Sequence, residues 1–352
     1  VPEPSEEECS IDYEHVKKVI SKKRNWSAPG PDKIVNYWWK KAESLHKGVA
    51  TSFQEIGQGL CEFPLWFTEG KSSLIPKLGE FSSQNHRPIT CLNNLYKWYT
   101  SCLLKPTDNH LNKYGLMQGD QRGAKEGCAG TVDNLLIDRM VCQDSQRGQR
   151  NVSMAWIDVR KAYDSVDHSW LLEMFSLHRF PLWLLRTIQK LTISWNTRIS
   201  VRTKNGYETS EVIMFKRGLP QGDALCPRLF TLCINPISWM LSAMDGYRIS
   251  KPIAKHITHL LYVDDLKIYA ASEEKLKRLV KKVKSCMTDV GLEWNERKCA
   301  AAHIKRGNLQ TNAESMNVGE EQAIDCLKQG SHYKFLGIME NTKQDDNLVL
   351  EI

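Results

Sequence analysis

Two segments of the chain are rich in aliphatic and aromatic residues that recur with the two-residue period of a β-strand. The first, NVSMAWI at 151–157, predicts a buried strand that ends at Asp158. The second, HLLYVDDLKIYA at 259–270, predicts a hairpin tipped by Asp264 and Asp265, because the short Asp side chain tolerates the left-handed backbone of a tight turn. Both patterns therefore place carboxylates at the end of a strand.

Other segments have the period of an α-helix. In EEKLKRLVKKVKSCMTDVGL the apolar residues Leu276, Leu279, Val280, Val283 and Met287 fall on one face, so the lysines between them mostly face water. The remaining predicted elements are helices at TVDNLLIDRMVCQDS, near 168–193, near 227–241 and at IDYEHVKKVISKK with Ser10 as its cap, a hairpin turn at Asn205-Gly206 and a strand at CAAAHI.

The order strand, helix, hairpin, helix, strand after residue 151 predicts an α+β fold, with an antiparallel sheet that carries its helices on one face. No internal repeat or low-complexity tract interrupts the chain. At 352 residues the chain is longer than most single hydrophobic cores, so we expect two subdomains.

Three carboxylates on two strand ends indicate a metal site. Carboxylates packed closely repel each other unless a cation offsets their charge. Asp158, Asp264 and Asp265 could together clamp two magnesium ions about 4 Å apart, the arrangement used for in-line displacement at phosphorus. The alternative for the Asp pair is a plain turn, and for Asp158 a helix cap, a role that Asp164 and Asp167 could also fill.

The composition limits which kinds of binding partner and metal site are expected. A net charge of +7 favours a polyanion, although the excess charge need not lie on one face. Eleven cysteines without a CxxC pair give neither a disulfide framework nor a zinc-finger signal, and we expect reduced, mostly buried thiols. No run of about 18 apolar residues occurs, so no membrane partner is expected.

Five strings follow one another along the chain: IDVRKAYDSVDH, GLPQGDALCPRLF, YVDD, GLEWNERKC and YKFLG. Together they resemble the palm motifs of reverse transcriptases, most closely those of non-LTR, LINE-type retrotransposons. Upstream, WSAPGPDKIVNYWWKK, SLIPKLG and NHRPIT resemble the N-terminal extension and fingers of the same enzymes. The resemblance covers roughly residues 24–340, and ordered motifs are more specific than any one of them.

The resemblance implies a right-hand polymerase fold with fingers and palm. It assigns residues 1–60 to an N-terminal helical extension, 61–150 to the fingers, and 151–340 to a palm with a fingers insertion and a primer-grip hairpin. Residues 341–352 would begin a thumb that is absent or truncated. We expect poor retention of duplex without a thumb, because phosphate contacts supply most non-specific affinity.

The resemblance also assigns a catalytic group. Asp158, Asp264 and Asp265 would hold two Mg²⁺ ions, for which Mn²⁺ can substitute, and the backbone carbonyl of Val159 would be a further ligand. Lys298 resembles the lysine that protonates departing pyrophosphate, a general-acid role.

The resemblance implies nucleotide-binding residues in the two motifs IDVRKAYDSVDH and GLPQGDALCPRLF. Tyr163 would floor the sugar pocket and reject a ribose 2′-hydroxyl, unless it is simply a core tyrosine. Gly218, Gln221 and Gly222 form a loop whose backbone can approach the incoming nucleotide, unless the loop is only a turn before a helix.

The triphosphate and the primer account for the remaining motif residues. Lys77 and Arg87 would bring positive charge to the phosphates, although as isolated residues they are surface charges. Tyr333, Phe335 and Leu336 would grip the primer end, or else belong to the core.

The favoured function is an RNA-directed DNA polymerase that adds dNTPs to a primer 3′-hydroxyl on an RNA template, with a DNA primer. The alternatives are an inactive or domesticated fragment that binds RNA, and an enzyme that copies RNA into RNA. The family implies a nuclear location, although no signal in the sequence supports one, and a longer parent chain that supplies the thumb and an endonuclease.

Overall fold

The computed structural model describes residues 7–76, 86–124, 127–203, 206–310, 313–319, 323–328 and 330–340. The α-helices in these ranges are α1 Tyr13–Lys22, α2 Asn36–Lys41, α3 His46–Gln58, α4 Asn94–Lys113, α5 Thr131–Arg147, α6 Ala162–Ser165, α7 His168–Leu177, α8 Leu182–Ser194, α9 Cys226–Ser242 and α10 Glu273–Asp289. Short 3₁₀ turns occupy Glu43–Leu45 and Glu296–Lys298.

The β-strands in the same ranges are β1 Glu69–Pro76, β2 His86–Leu92, β3 Val152–Ile157, β4 Asn196–Thr203, β5 Gly206–Thr209, β6 Ile213–Met214, β7 Tyr247–Arg248, β8 His256–Ile257, β9 His259–Tyr262, β10 Asp265–Ala270, β11 Ala300–Lys305, β12 Asn308–Leu309, β13 Met316–Asn317, β14 Ala323–Cys326, β15 Tyr333–Phe335 and β16 Ile338–Glu340. The mixture of helices and sheets confirms the predicted α+β class.

The first of two compact units consists of Val1–Leu116 and Val166–Leu229. Its sheet has the strand order β2, β1, β4, β5, with β6 paired to β4, and only the β1 and β4 neighbours run parallel. The buried Trp98 of α4 donates from Nε1 to the Val16 carbonyl at 2.9 Å, which ties α4 to α1. Helices therefore cover an aromatic core in this unit.

The second unit consists of Met117–Ser165 and Phe230–Ile352. Its main sheet has the order β13, β14, β11, β3, β10, β9, with β12 paired to β11. These pairs are antiparallel except β11 with β14. Every residue of the central strand β3 is buried, which explains why its sequence is almost continuously apolar.

Helix α10 confirms the predicted amphipathic pattern. Ser272 caps it by accepting a hydrogen bond from the Lys275 amide, and the helix packs on β10 and β3. The buried residues are the five apolar ones that the helical period selects, Leu276, Leu279, Val280, Val283 and Met287.

One local expectation needs correction. The first helix is capped by Asp12, not Ser10, because the Asp12 carboxylate lies three residues before His15 and accepts from its amide at 2.7 Å. The helical segments predicted near 168–193 are present as two helices, α7 and α8, and Pro181, which lacks an amide hydrogen and restricts the residue before it, directly precedes α8.

The predicted hairpin at Asn205-Gly206 is present as the antiparallel pair β4 and β5. Thr203 faces Gly206, which leaves a two-residue connection, although Asn205 itself lies outside the described residues. Residues 341–352, where the sequence predicts the start of a thumb, also lie outside them. The finer division into extension, fingers and palm stays a prediction. None of the described helices is both long enough and apolar enough to span a bilayer.

Candidate active site

The pairing of β3 with β10 brings the two acidic segments together. Leu266 faces Ile157 in this antiparallel ladder. Continuing the same register by one residue places Asp265 opposite Asp158, just beyond the end of β3. Residues that face each other across an antiparallel pair have Cβ atoms about 4.5–5.5 Å apart. The two carboxylates therefore share one edge of the sheet.

The tip of the hairpin differs from the expected turn. Tyr262 pairs with Asp265, so the two turn residues are Val263 and Asp264, and Asp265 begins β10. The left-handed position is filled by Val263, with φ of 56°, not by an aspartate. A β-branched residue is strongly disfavoured there, and such strain persists only where the surroundings enforce it.

Gln121 supplies that enforcement. Its buried Oε1 accepts from the amide of Val263 at 3.0 Å and from the amide of Gly123 at 2.8 Å. Its Nε2 donates to the Val263 carbonyl at 3.3 Å. A Cβ on Gly123 would lie 2.4 Å from the Val263 amide nitrogen, so only glycine permits this approach. The side-chain amide thus fixes both polar groups of the residue before Asp264.

The electrostatics show that the acids are close. Burial raises the pKa of Asp265 to about 6, and the negative charges of Asp264 and Asp158 add to the shift. No group of three or more His, Cys, Asp or Glu side chains within the described ranges has the spacing of a complete metal cage. Mg²⁺ is commonly held by one or two carboxylates plus substrate phosphates and water, so oxygen donors of this kind fit the ion without a cage.

The segment GLEWNERKC runs beside the chain that follows β3. Asn295 donates its amide to the Asp158 carbonyl at 2.9 Å, and Arg160 donates its amide to the Glu293 carbonyl at 2.7 Å. Val159 faces Trp294 between these two bonds, so its own carbonyl takes no part in them. This orientation is compatible with the predicted ligand role of Val159.

Lys298 follows in the same segment, where it is exposed at the end of the 3₁₀ turn Glu296–Lys298. Its amide donates to the Asn295 carbonyl at 2.8 Å, which joins this turn to the residue that contacts Asp158. The structure therefore brings the lysine's segment to the acidic edge, and its general-acid role stays a prediction.

The hairpin of β15 and β16 contains the three predicted primer-grip residues. Leu336 and Gly337 form its two-residue turn, with φ of 49° and 88°. The Tyr333 ring stacks on Trp156 with a centroid distance of 5.2 Å, and Phe335 belongs to the apolar core. Phe335 is thus a core residue, and the contact of this hairpin with a primer stays a prediction.

Gly218, Gln221 and Gly222 lie in a loop of the first unit. The amide of Thr90 donates to the Gln221 carbonyl at 3.1 Å, so the loop runs beside β2. Gly222 has φ of 119°, and a Cβ there would lie 2.7 Å from the Thr90 carbonyl oxygen. Gly218 donates its amide to the Val166 carbonyl at 2.7 Å. Glycine is thus required at 222 by close backbone approach.

Asp223, which follows Gly222 in this loop, is a buried acid that no local sequence pattern indicated. It accepts hydrogen bonds from Thr100 Oγ1 at 2.5 Å and from the Tyr96 hydroxyl at 3.3 Å. Burial raises the pKa of Asp223, although the Thr100 bond opposes this effect. Asp223 therefore anchors the loop to α4.

Three predicted residues remain. Tyr163 is half-buried, and its ring stacks on the buried Phe230 with a centroid distance of 5.1 Å, so it has a packing role whether or not it meets a sugar. Arg87 lies in β2 opposite Ile75. Lys77 lies outside the described residues.

Sequence reasoning missed Gln121, Asp223 and a buried lysine, Lys267. Only the last left a signal, because a lysine in DLKIYA breaks an otherwise apolar run within a strand. The roles of Gln121 and Asp223 depend on contacts between residues more than a hundred positions apart, which no local pattern reveals.

A family model matches most of the chain, including the acidic segments. Residues 75–339 match the family model described as reverse transcriptase (RNA-dependent DNA polymerase). The chain belongs to the reverse transcriptase family. The match covers both acidic segments and the GLEWNERKC segment, so the resemblance in the five ordered motifs is confirmed at the level of the family.

Curated relatives of this reverse transcriptase chain include two polyproteins of R2 elements. It is 25% identical over 340 residues to the retrovirus-related Pol polyprotein from type-1 retrotransposable element R2 of Nasonia vitripennis, covering 94% of this chain and 31% of that protein. It is 27% identical over 319 residues to the corresponding polyprotein from type-2 element R2DM of Drosophila melanogaster, covering 89% and 28%. These relatives confirm the predicted non-LTR class, and the chain spans about three tenths of their length.

Among solved structures, apo telomerase from Candida tropicalis matches with a TM-score of 0.51 and 15% sequence identity. The match covers 89% of this chain and 54% of that one. At this identity the likeness concerns the fold alone, and it supports the predicted polymerase architecture.

The raised pKa of Asp265 has a definite sign in folding. Between the ordinary value of 3.8 and about 6 the folded chain binds more protons than the unfolded chain, so the unfolding free energy falls as pH rises through this window and stays lower above it. We expect Asp265→Asn to raise the unfolding free energy of metal-free protein at pH 8 by on the order of 2 kcal/mol. Urea unfolding in EDTA at pH 8 and pH 4.5 measures the gain, which should shrink at the lower pH. An equal gain at both would contradict the electrostatic cause.

Gln121 offers a test of the strained turn. Gln121→Met keeps much of the side-chain volume but removes both hydrogen-bonding groups from Val263, so the turn is free to relax and Asp264 to shift. Because misplacement by about 1 Å can cost on the order of 100-fold in rate, we expect a primer-extension rate at least about tenfold below wild type. The rate is measured well below the unfolding temperature of the variant. An unchanged rate would show that the clamp does not position Asp264.

Proposed function

We propose that this chain copies RNA into DNA by adding deoxynucleotides to the 3′-hydroxyl of a primer. The observation that carries the proposal is the register of β3 with β10, which sets Asp158 opposite Asp265 with Asp264 at the adjoining turn. Membership of the reverse transcriptase family supports the reaction. The fold of the second unit supplies the rigid platform that precise positioning of reactants requires.

Divalent cations, Mg²⁺ or in substitution Mn²⁺, are the cofactors that suit this site. Carboxylate and carbonyl oxygens are hard donors that these ions prefer, and Asp158, Asp264, Asp265 and the Val159 carbonyl would provide them. Bound there, two ions would neutralise the charge that grows on the attacking and leaving oxygens during displacement at phosphorus. Burial raises the pKa of Asp265 and the charges of Asp264 and Asp158 add to the shift, and a bound cation would relieve both effects.

The other residues have positional roles in the proposal. Lys298 would donate a proton to the leaving pyrophosphate from the segment that is hydrogen-bonded to Asp158. Tyr163, held by Phe230 on one ring face, would meet the sugar at position 2′ and favour dNTPs. Gln221 and Arg87 would bind the incoming nucleotide, the roles that membership of the family implies.

The substrates are proposed on the same basis. An RNA template paired with a DNA primer follows from the family, and the net charge of +7 is compatible with a polyanionic duplex. Phe335 and Tyr333 place the β15 and β16 hairpin against Trp156, where it would support the primer end. A nuclear location is proposed only from the relationship to retrotransposon polyproteins.

Primer extension tests this function directly. Wild-type protein is incubated with an RNA template, a DNA primer, dNTPs and Mg²⁺, beside the double variant Asp264→Ala with Asp265→Ala. We expect extension by wild type and at least about a 1000-fold loss in the double variant, because oriented electrostatic groups at a reacting centre contribute several kcal/mol to the rate. A parallel reaction in which rNTPs replace the dNTPs tests whether the chain instead copies RNA into RNA.

The matched control is the double variant Asp245→Ala with Asp289→Ala, which removes two exposed carboxylates of the same unit. It should extend primers at the wild-type rate. Binding of the duplex without extension by wild type would instead favour the inactive, RNA-binding alternative. Extension that survives loss of both Asp264 and Asp265 would reject the proposed site.

A further inference from the structure

Lys267 is a lysine with no exposed surface in the centre of the second unit's sheet. It lies in β10 two residues after Asp265, and residues two apart in a strand project from the same face. Lysine is almost never fully buried unless its charge is paired. An ammonium enclosed on the face that carries the catalytic carboxylates therefore calls for a specific reason.

Its partners come from three other elements. Nζ lies 2.7 Å from Asp138 Oδ1 of α5 and 2.6 Å from Glu340 Oε1 of β16, and it sits 4.4 Å from the centre of the Trp156 ring of β3. Glu340 Oε1 also accepts from Trp156 Nε1 at 2.7 Å. The Tyr269 hydroxyl donates to Asp138 Oδ1 at 2.5 Å. The side chains thus form one buried, connected polar network.

The charges in this network balance when one carboxyl is protonated. Burial raises the pKa of Glu340 to about 8, with Lys267 opposing the shift and Asp138 adding to it. The carboxyl oxygens of Asp138 and Glu340, at 2.7 and 2.6 Å from Nζ, stabilise the ammonium form of Lys267. A positive lysine, a negative Asp138 and a protonated Glu340 leave the cluster neutral, as a buried site requires.

The hairpin of β15 and β16 depends on this network for its place. Among the described residues these two strands pair only with each other, so no backbone ladder joins them to the main sheet. A lone two-stranded hairpin is marginally stable in water. Phe335 and Tyr333 supply apolar contacts, which are not directional, whereas the Glu340 carboxyl makes hydrogen bonds with defined geometry.

The same hairpin lies against the strand that leads to the acidic edge. The Tyr333 ring stacks on Trp156 of β3, two residues before Asp158. Tyr333 therefore contacts the strand that leads to Asp158, and in the β15 and β16 pair it faces Glu340. A displacement at Glu340 would move Tyr333 relative to Asp158.

We propose that Lys267 is a positioning residue that acts through Glu340. It fixes the hairpin 333–340 in the position in which the hairpin presents the primer 3′-hydroxyl to the carboxylate site. Asp138 holds the ammonium from the opposite side. The inference rests on the proposed polymerase function. Because alignment of the attacking hydroxyl controls the chemical step, loosening the anchor should lower the rate of bond formation more than nucleotide affinity.

The test compares four variants in the full chain. Glu340→Ala and Lys267→Met remove the anchor, and Glu340→Gln retains an acceptor for Lys267 and Trp156. Tyr247→Phe is the structural control, because it removes the hydroxyl of a buried tyrosine in the same core, and this hydroxyl donates to Asp144 of α5 and not to Lys267, Asp138 or Glu340. Steady-state extension by a single nucleotide gives kcat and the KM for dNTP, and hydrogen exchange measures the protection of the hairpin amides.

We expect kcat to fall at least about tenfold in Glu340→Ala and Lys267→Met, with the KM for dNTP within about twofold of wild type. Glu340→Gln should recover part of the loss, and Tyr247→Phe should retain kcat. Amides of 333–340 should exchange faster in the two anchor variants, while those of 259–270 keep their wild-type protection.

Unchanged kcat in both anchor variants, an equal loss in Tyr247→Phe, or unchanged exchange of the hairpin would overturn the inference. If Lys267→Met does not fold, Glu340→Ala against Tyr247→Phe decides the same question. An inactive wild type would reject the polymerase proposal instead, and hydrogen exchange would still decide whether Lys267 and Glu340 anchor the hairpin.

Discussion

The candidate site depends on one constraint, the antiparallel register of β3 with β10. This register sets Asp158 opposite Asp265, and a slip of one residue would turn every side chain of the strand to the other face. The register is protected because β3 is buried along its whole length between β10 and β11. Burial of β3 in the hydrophobic core thus stabilises a register that brings like charges together at the sheet edge.

The surrounding residues stabilise what the register creates. Burial, with the charges of Asp264 and Asp158 adding to it, raises the pKa of Asp265, and the backbone is strained at Val263. Gln121 satisfies the polar groups of the strained turn, and Lys267 places a buried positive charge two residues from Asp265. Local strain and repulsion of this kind persist at functional sites where the rest of the structure enforces them.

Much of this arrangement was predictable from the chain. The strand before Asp158, the amphipathic helix α10 and the hairpin around Asp264 follow from local periodicity, and the ordered motifs indicated the family. The prediction that an aspartate takes the left-handed position of the turn was wrong. Turn propensity favours Asp there, whereas contacts from Gln121 impose the conformation on Val263. Networks such as Lys267 with Glu340 join residues 73 positions apart, and only the fold brings them into contact.

The central claim, that the edge formed by β3 and β10 binds catalytic divalent ions, is tested most directly by localised cleavage with Fe²⁺. Protein bound to a chain-terminated primer on RNA template, with the matching dNTP, is treated with Fe²⁺, ascorbate and peroxide, and the cut sites are mapped. The account predicts cuts near both Asp158 and Asp264, suppressed by excess Mg²⁺ and absent in Asp158→Ala. Cuts confined to other segments, or cuts at these positions that Mg²⁺ does not suppress, would contradict it.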